Sequence, residues 1–267
     1  MVSQSLRPAA VNVMVRAAEK ASRGLMRDFN EVENLQISQK SIGDFVTNAD
    51  KRSEETIIYE LKKARPNYSI ISEESEKIEG TDPEYTWIVD PLDGTTNFIH
   101  NIPHFSITIA LMKGNEIVSG IIYDPAKDDL FWSEKGKGSF LNHKRIRVSP
   151  RKRLSESLIG VGIPNINRGS AETFQKHMSK LIPNVAGMRR MGSASLDLAY
   201  VASGRLDAYI DYILHPWDIA AGSLIVREAG GFSQSLDGKS DFTLSPTSIL
   251  ATNATFNKSI KRLFSDK

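Results

Sequence analysis

The sequence contains no cysteine. That absence removes disulfides, thiolate metal sites and cysteine nucleophiles together, and it fits a reducing compartment. No run of 18 apolar residues occurs, so no segment reads as a membrane-spanning helix. A strong charge of either sign is also missing: 34 Lys and Arg stand against 32 Asp and Glu, a formal net charge of +2. Such a balance leaves no electrostatic case for a dedicated nucleic-acid binder. The N-terminus shows no secretory leader; Val11, Met14, Val15 and Ala18 fall at helical spacing with Arg16, Glu19 and Lys20 between them. Repeats, low-complexity tracts and linkers are not visible either. The expectation is a cytoplasmic globular protein.

Its 267 residues, 40% hydrophobic and 25% charged, suffice for a sizeable core. Residues 6–29 read as one amphipathic helix, and 49–64 as a second that ends before Pro66. Residues 68–72 and 87–89 read as short buried strands. Between Phe105 and Val148, turn signals at Gly114-Asn115, Asp124-Pro125, Gly136-Lys137-Gly138 and Asn142-His143 separate the strands of an antiparallel meander. After Ser149 the chain alternates: strand 158–163, helix 171–181, helix 193–203, strand 206–212, then a helix opened by Pro216 and stopped at Gly230-Gly231. Alternation of this kind suggests a sheet covered by helices. Two halves, 1–149 and 150–267, are read as sharing one body.

The chemistry concentrates in 84-EYTWIVDPLDGTTNFIHNIP-103. There an apolar run delivers Asp90 and Asp93, just past a strand, into Gly94, Thr95 and Thr96. Like charges that close raise each other's pKa unless a cation intervenes. Magnesium is the usual cation, because it takes hard oxygen ligands and keeps positions open for water and phosphate. The Gly94-Thr95-Thr96 stretch offers backbone N–H groups and hydroxyls suited to phosphate oxygens. An Asp-rich turn is the bland alternative, Asp-Gly being a common turn pair. A nucleophilic aspartyl-phosphate chemistry is a rival, but its D-x-D-G-T spacing aims both acids one way, whereas here one residue is added. Further acids enter at Glu73 and Glu74 after a strand, and at Asp218 in a first helical turn. Asp50, in Thr47-Asn48-Ala49-Asp50, fits a capping box.

The blocks D-P-L-D-G-T-T-N, E-E-S upstream and W-D-I-A-A-G-S-L-I-V-R-E-A-G-G downstream resemble the inositol monophosphatase family, from the first helix to about Asn253. G-D-F-V-T-N-A-D and R-R-M-G-S-A-S-L-D-L-A-Y look closest to its bacterial extragenic-suppressor branch. The resemblance implies an α+β fold, a layered αβαβα sandwich of the sugar-phosphatase type, and a magnesium-dependent, lithium-sensitive phosphomonoesterase, homodimeric and cytoplasmic. It implies that Glu73, Asp90 and the Leu92 carbonyl hold a first magnesium ion, that Asp90, Asp93 and Asp218 hold a second, and that Glu73 serves a looser third. Thr95 and Asp50, with Glu73, would activate water. Gly94 and Thr95 would take phosphate oxygens, and Asp93, Gly192, Ser193, Ala194, Asp211 and Asp218 would face the substrate. The family usually carries glutamate where Asp211 stands, which puts inositol preference in question. Relatives hydrolyse fructose bisphosphate, adenosine bisphosphate or histidinol phosphate. The bacterial branch is associated with ribosomal RNA transcription, so a transcription-machinery partner is a second expectation; Arg189 and Arg190 lie in that block.

Overall fold

The computed structural model describes residues 7–31, 37–41, 44–164, 170–212, 214–236, 244 and 248–265. The first amphipathic stretch forms α1 (Ala9–Asn30), whose stripe of Val11, Met14, Ala18, Ala21 and Leu25 is buried. An antiparallel ribbon of β1 (Ile37–Ser41) and β2 (Asp44–Thr47) leads into α2 (Asn48–Ala64). Thr47 and Asp50 form the capping box expected there.

β3 (Ser69–Ser72) pairs in parallel with β4 (Tyr85–Asp93), and the short α3 (Thr95–Ile99) follows. Then β5 (Ser106–Lys113), β6 (Glu116–Asp124), β7 (Asp129–Glu134), β8 (Gly138–Leu141) and β9 (Lys144–Ile146) run as the expected meander. Together they make a seven-stranded sheet in chain order. Gly114, Gly136 and Asn142 take positive φ at its turns.

The second half carries β10 (Leu158–Val161), α4 (Ala171–Leu181), β11 (Gly187–Arg189), α5 (Ala194–Ala202), β12 (Ala208–Asp211), α6 (Pro216–Glu228), β13 (Phe232–Gln234), β14 (Ile249–Thr252) and α7 (Ala254–Phe264). Its five-stranded sheet runs β11-β10-β12-β14-β13, parallel around β10 and antiparallel around β14. The strand expected over 206–212 is shorter, since Leu206 and Asp207 belong to the turn that follows α5.

Period-two burial on the first sheet divides its side chains between two cores. Trp87, Val89, Ile107, Ile109 and Ile121 pack against α1 and α2, while Ile88, Ala110, Ile122 and Phe131 pack against α5 and α6. The second sheet lies on the other side of α5 and α6. Its far face packs Ile159, Ala208, Ile210 and Leu250 under Met178 and Leu181 of α4 and Phe256 and Ile260 of α7. The layers are therefore helix pair, sheet, helix pair, sheet, helix pair, the αβαβα order implied by the resemblance. α6 lies so close to the first sheet that a Cβ on Gly120 would sit 2.9 Å from the Ala221 Cα. That approach carries the N-terminus of α6 to the end of β4.

Candidate active site

Asp90 and Asp93 do not follow a strand; both lie inside β4, which continues to Asp93. In a regular strand, residues three apart face opposite sides. Here Asp90 opposes Thr108 and Asp93 opposes Ser106, so three steps on β4 match two on β5. This is a bulge, placed where Pro91 cannot donate to the ladder in any case. Leu92 is turned into the α1–α2 core. Asp93 is turned toward α5, and Asp90 shares the parity of Ile88, whose side chain packs with α5 and α6. The extra residue brings both carboxylates to one side. The Pro91 carbonyl accepts a 2.8 Å bond from the Ser53 hydroxyl, which ties the bulge to α2.

Asp50 joins its cap to the chemistry. Its Oδ2 accepts from the Thr47 N–H at 2.8 Å and the Thr47 hydroxyl at 2.6 Å. Its Oδ1 lies 3.1 Å from the Thr95 hydroxyl, which is also 3.1 Å from the Leu92 carbonyl. One hydroxyl proton serves only one of those acceptors at a time. Burial raises the Asp50 pKa, and the bonds from Thr47 and Thr95 oppose that rise.

Asp218 sits in the first turn of α6, where its Oδ2 accepts from the His215 N–H at 2.6 Å. Burial pushes its pKa well above the ordinary carboxylate range, and the charges of Glu73 and Asp93 add to the rise. Asp90 is raised well above that range for the same first reason, then by Glu73, Asp93 and Asp218. Asp93 is raised by burial, against hydrogen bonds from Ser193, Ser195 and Ala194. Three elements, β4, the bend after β3 and the start of α6, thus bring four acids to one place. Among the described residues no Lys or Arg forms an ion pair with Asp90, Asp93 or Asp218.

Carboxylates gathered away from bulk water without a basic partner, Asp90 buried and Asp93 and Asp218 half-buried, are the donor set a hard divalent cation would neutralise, so these residues fit magnesium. Among the described residues no three acidic or histidine side chains close on one point as a finished cage. Magnesium requires less than a cage, since it keeps several waters and is held by one or two carboxylates plus phosphate.

A cleft of about 160 Å³ opens beside Asp93 and Asp218 and is lined by Gly192, Ser193, Ala194 and Asp211. Gly192, at φ +90°, turns the chain into α5, and Ser193 caps that helix. The Ser193 hydroxyl donates to Asp93 Oδ2 at 2.5 Å. Gly94 turns at φ +94°, and a Cβ there would lie 3.4 Å from the Gly192 carbonyl oxygen. The turn at Gly94 and the turn at Gly192 are therefore in contact. Asp211, at the end of β12, accepts from the Tyr209 hydroxyl at 2.6 Å and the Tyr212 N–H at 2.7 Å. Its carboxylate fills the place where a side chain on Gly162 would be, 1.9 Å from an ideal Cβ.

Asp50, Asp90, Asp93, Asp211 and Asp218 come to this site, whereas Glu74 is tied through its N–H to Glu54 Oε1 at 3.2 Å. Glu73, which the resemblance makes a metal ligand, adds its charge to the pKa rise of both Asp90 and Asp218. The sequence reading missed Asp197, which lines the same cleft, is 2% exposed and has an Oδ1 with no hydrogen-bond partner. Burial, then Asp93 and Asp211, raise its pKa well above the usual range, while Arg190 opposes the rise. A lone acid in the apolar helix S-L-D-L-A-Y-V-A was the available signal. Arg190, weighed in the sequence as a solvated or partner-binding basic residue, is exposed and lines the cleft.

Residues 4–266 match the model of the inositol monophosphatase family. An inositol-1-monophosphatase of Mesorhizobium japonicum is 49% identical over 254 residues, 95% of each chain. The Nus factor SuhB of Escherichia coli is 43% identical over 235 residues, 88% of each chain. Among solved structures, the extragenic suppressor protein suhB from Bartonella henselae superposes with a TM-score of 0.93 at 45% identity, covering 97% of this chain and 99% of that one.

Proposed function

The chain belongs to the inositol monophosphatase family and is a phosphatase of that type, and from this premise we propose that it hydrolyses myo-inositol-1-phosphate, or a closely related polyol monophosphate, with magnesium. The observation that carries the proposal is the gathering of buried Asp90 with half-buried Asp93 and Asp218, all raised in pKa by desolvation, with Asp93 adding to the rise at Asp90 and Asp218, beside the cleft and with no described basic partner. Glu73, Asp90, the Leu92 carbonyl, Asp93 and Asp218 would hold two to three ions. When bound, magnesium supplies Lewis-acid catalysis, acidifying water and neutralising charge on the phosphoryl group and leaving oxygen.

The chain's own groups set the geometry. Thr95, hydrogen-bonded to Asp50, presents its lone pairs to the attacking water, and Asp50, whose pKa burial raises, takes the proton that water loses. The new phosphorus–oxygen bond forms in line with the ester bond that breaks, and the leaving oxygen takes a proton from solvent water as the alcohol departs into the cleft. Gly94 and Thr95 receive phosphate oxygens. Gly192, Ser193, Ala194 and Asp211, with Asp93 and Asp218, face the alcohol. Both halves of the chain contribute, and their shared core of Ile88, Ala110 and Ile122 with Leu196, Leu224 and Ile225 supports reading 1–267 as one working unit. Lithium sensitivity, a homodimer and a cytoplasmic location belong to the same proposal.

The test is phosphate release from a panel of monoesters and bisphosphates, with and without magnesium. Magnesium-dependent turnover highest on inositol-1-phosphate is expected. Preference for fructose bisphosphate, adenosine bisphosphate or histidinol phosphate would move the substrate, and no magnesium dependence on any ester would sink the assignment.

A second reading is favoured by the Escherichia coli relative's designation as a Nus factor. In it, this chain also works beside the transcription machinery in ribosomal RNA synthesis without using catalysis. An inactive Asp93→Asn chain that still supported ribosomal RNA synthesis in place of the wild type would favour that role; loss of both activities would count against it.

A further inference from the structure

The block D-P-L-D-G-T-T-N ends in an asparagine to which no ligand role falls. Asn97 is on α3, one turn beyond Gly94, and is 6% exposed. Its side-chain nitrogen donates to the His104 carbonyl at 2.8 Å and to the Met191 carbonyl at 2.9 Å. Two carbonyl acceptors can be served only by the amide's NH2 group, which spends both hydrogens there. The first carbonyl belongs to the loop packed on Gly94, where a Cβ would lie 3.0 Å from the His104 oxygen. The second belongs to the residue immediately before Gly192. A Cβ on Gly192 would lie 3.0 Å from the Asn97 nitrogen, so only glycine lets the chain pass this close.

We propose that Asn97 is a positioning residue that sets the Gly192-Ser193-Ala194 turn against the Gly94-Thr95 turn, fixing where the substrate's alcohol sits relative to its phosphate. The proposal rests on the phosphatase reading above and deepens it. Phosphate contacts come from the first turn and alcohol contacts from the second, on different halves of the chain. Their spacing is held by this buried amide bridging the two backbones, beside the bonds that Ser193 and Ser195 give to Asp93. A substrate that spans both turns feels any slip between them, whereas one gripped only by its phosphate does not. A misplacement of about 1 Å can cost on the order of 10²-fold in rate.

The experiment compares wild type, Asn97→Ala and Asn97→Asp on two esters, inositol-1-phosphate and phenyl phosphate, the latter having no hydroxyl to reach the second turn. Asn97→Asp keeps the shape but sets acceptor oxygens against two carbonyls, so it tests the donors if Asn97→Ala folds poorly. The expected result is a fall in kcat/KM on inositol-1-phosphate of on the order of 10²-fold. Phenyl phosphate turnover and the magnesium-induced rise in Tm should stay close to wild type. Equal losses on both esters, or no loss on either, would overturn the positioning role. A wild-type chain that releases phosphate from neither ester with magnesium would instead overturn the phosphatase reading, and the proposal with it.

Discussion

Ser195 donates both its backbone N–H, at 2.9 Å, and its hydroxyl to a single oxygen of Asp93, 102 positions earlier in the chain. The start of α5 thus closes on the end of β4 through one carboxylate, and Ser193 adds a third donor to the same oxygen. An asparagine at position 93 can offer its own oxygen to those donors, so Asp93→Asn keeps the contact and loses only the charge. Turnover is expected to fall by at least about 10²-fold, the scale of losing one preorganised electrostatic group. Because the charge is half-buried among like charges, metal-free Tm should hold steady or rise, while the rise produced by magnesium shrinks. Calorimetry with and without magnesium, beside a turnover assay, checks both; near wild-type turnover would remove Asp93 from the metal set.

Gly162 and Asp211 occupy one another's space. The Asp211 carboxylate, held by Tyr209 and Tyr212, lies where an alanine methyl at 162 would be. Gly162→Ala must therefore push Asp211 out of both hydrogen bonds, and its effect on substrate preference should match that of Asp211→Ala. The double variant should lose little more than either single one, a coupling of about 0.5–3 kcal/mol. Asp211→Glu adds a methylene that cannot be taken up over Gly162 and so projects into the cleft, changing KM on inositol-1-phosphate more than kcat. Steady-state constants for the four variants decide; effects that simply multiply would mean the two positions act independently.

The grouping of Asp90 and Asp93 with Gly94, Thr95 and Thr96 was legible in the sequence because those residues lie in one short stretch. The bulge was not. Period-two reading ended the strand at Val89, and only Pro91, a residue that weakens a ladder, signalled that a longer strand would be interrupted. Ser193 and Ser195 meet Asp93 across about a hundred residues, a pairing that only the packing of α5 on the first sheet creates. Gly160 and Gly162 make room for acids: a Cβ on Gly160 would lie 3.3 Å from the unpartnered oxygen of Asp197, and one on Gly162 would lie 1.9 Å from Asp211. Two glycines at strand spacing followed by acids elsewhere in the chain give no local sign of that fit.

The buried acids and His104 should tilt the pH dependence of metal-free stability in opposite directions. Asp90 and Asp218 are raised above their ordinary value of 3.8 by burial and then by Glu73. Between that value and their folded values the native chain holds protons that the unfolded chain has released. Stability therefore falls as pH rises through that window and returns on acidification. His104 is lowered from 6.5 to about 4, by burial and then by Lys127. Between those values the unfolded chain binds the proton first, so stability falls as pH drops, by at most about 3 kcal/mol before solvent screening reduces it. His104→Gln removes the second effect, and its metal-free Tm should climb steadily as the pH is lowered from 8 to 4. Magnesium bound as proposed would take the place of the protons on the acids, so the rise in Tm that it produces should be largest at the alkaline end and fade toward pH 4. Scanning calorimetry on both proteins across that range provides the check, and a magnesium effect independent of pH would argue that these carboxylates are not its ligands.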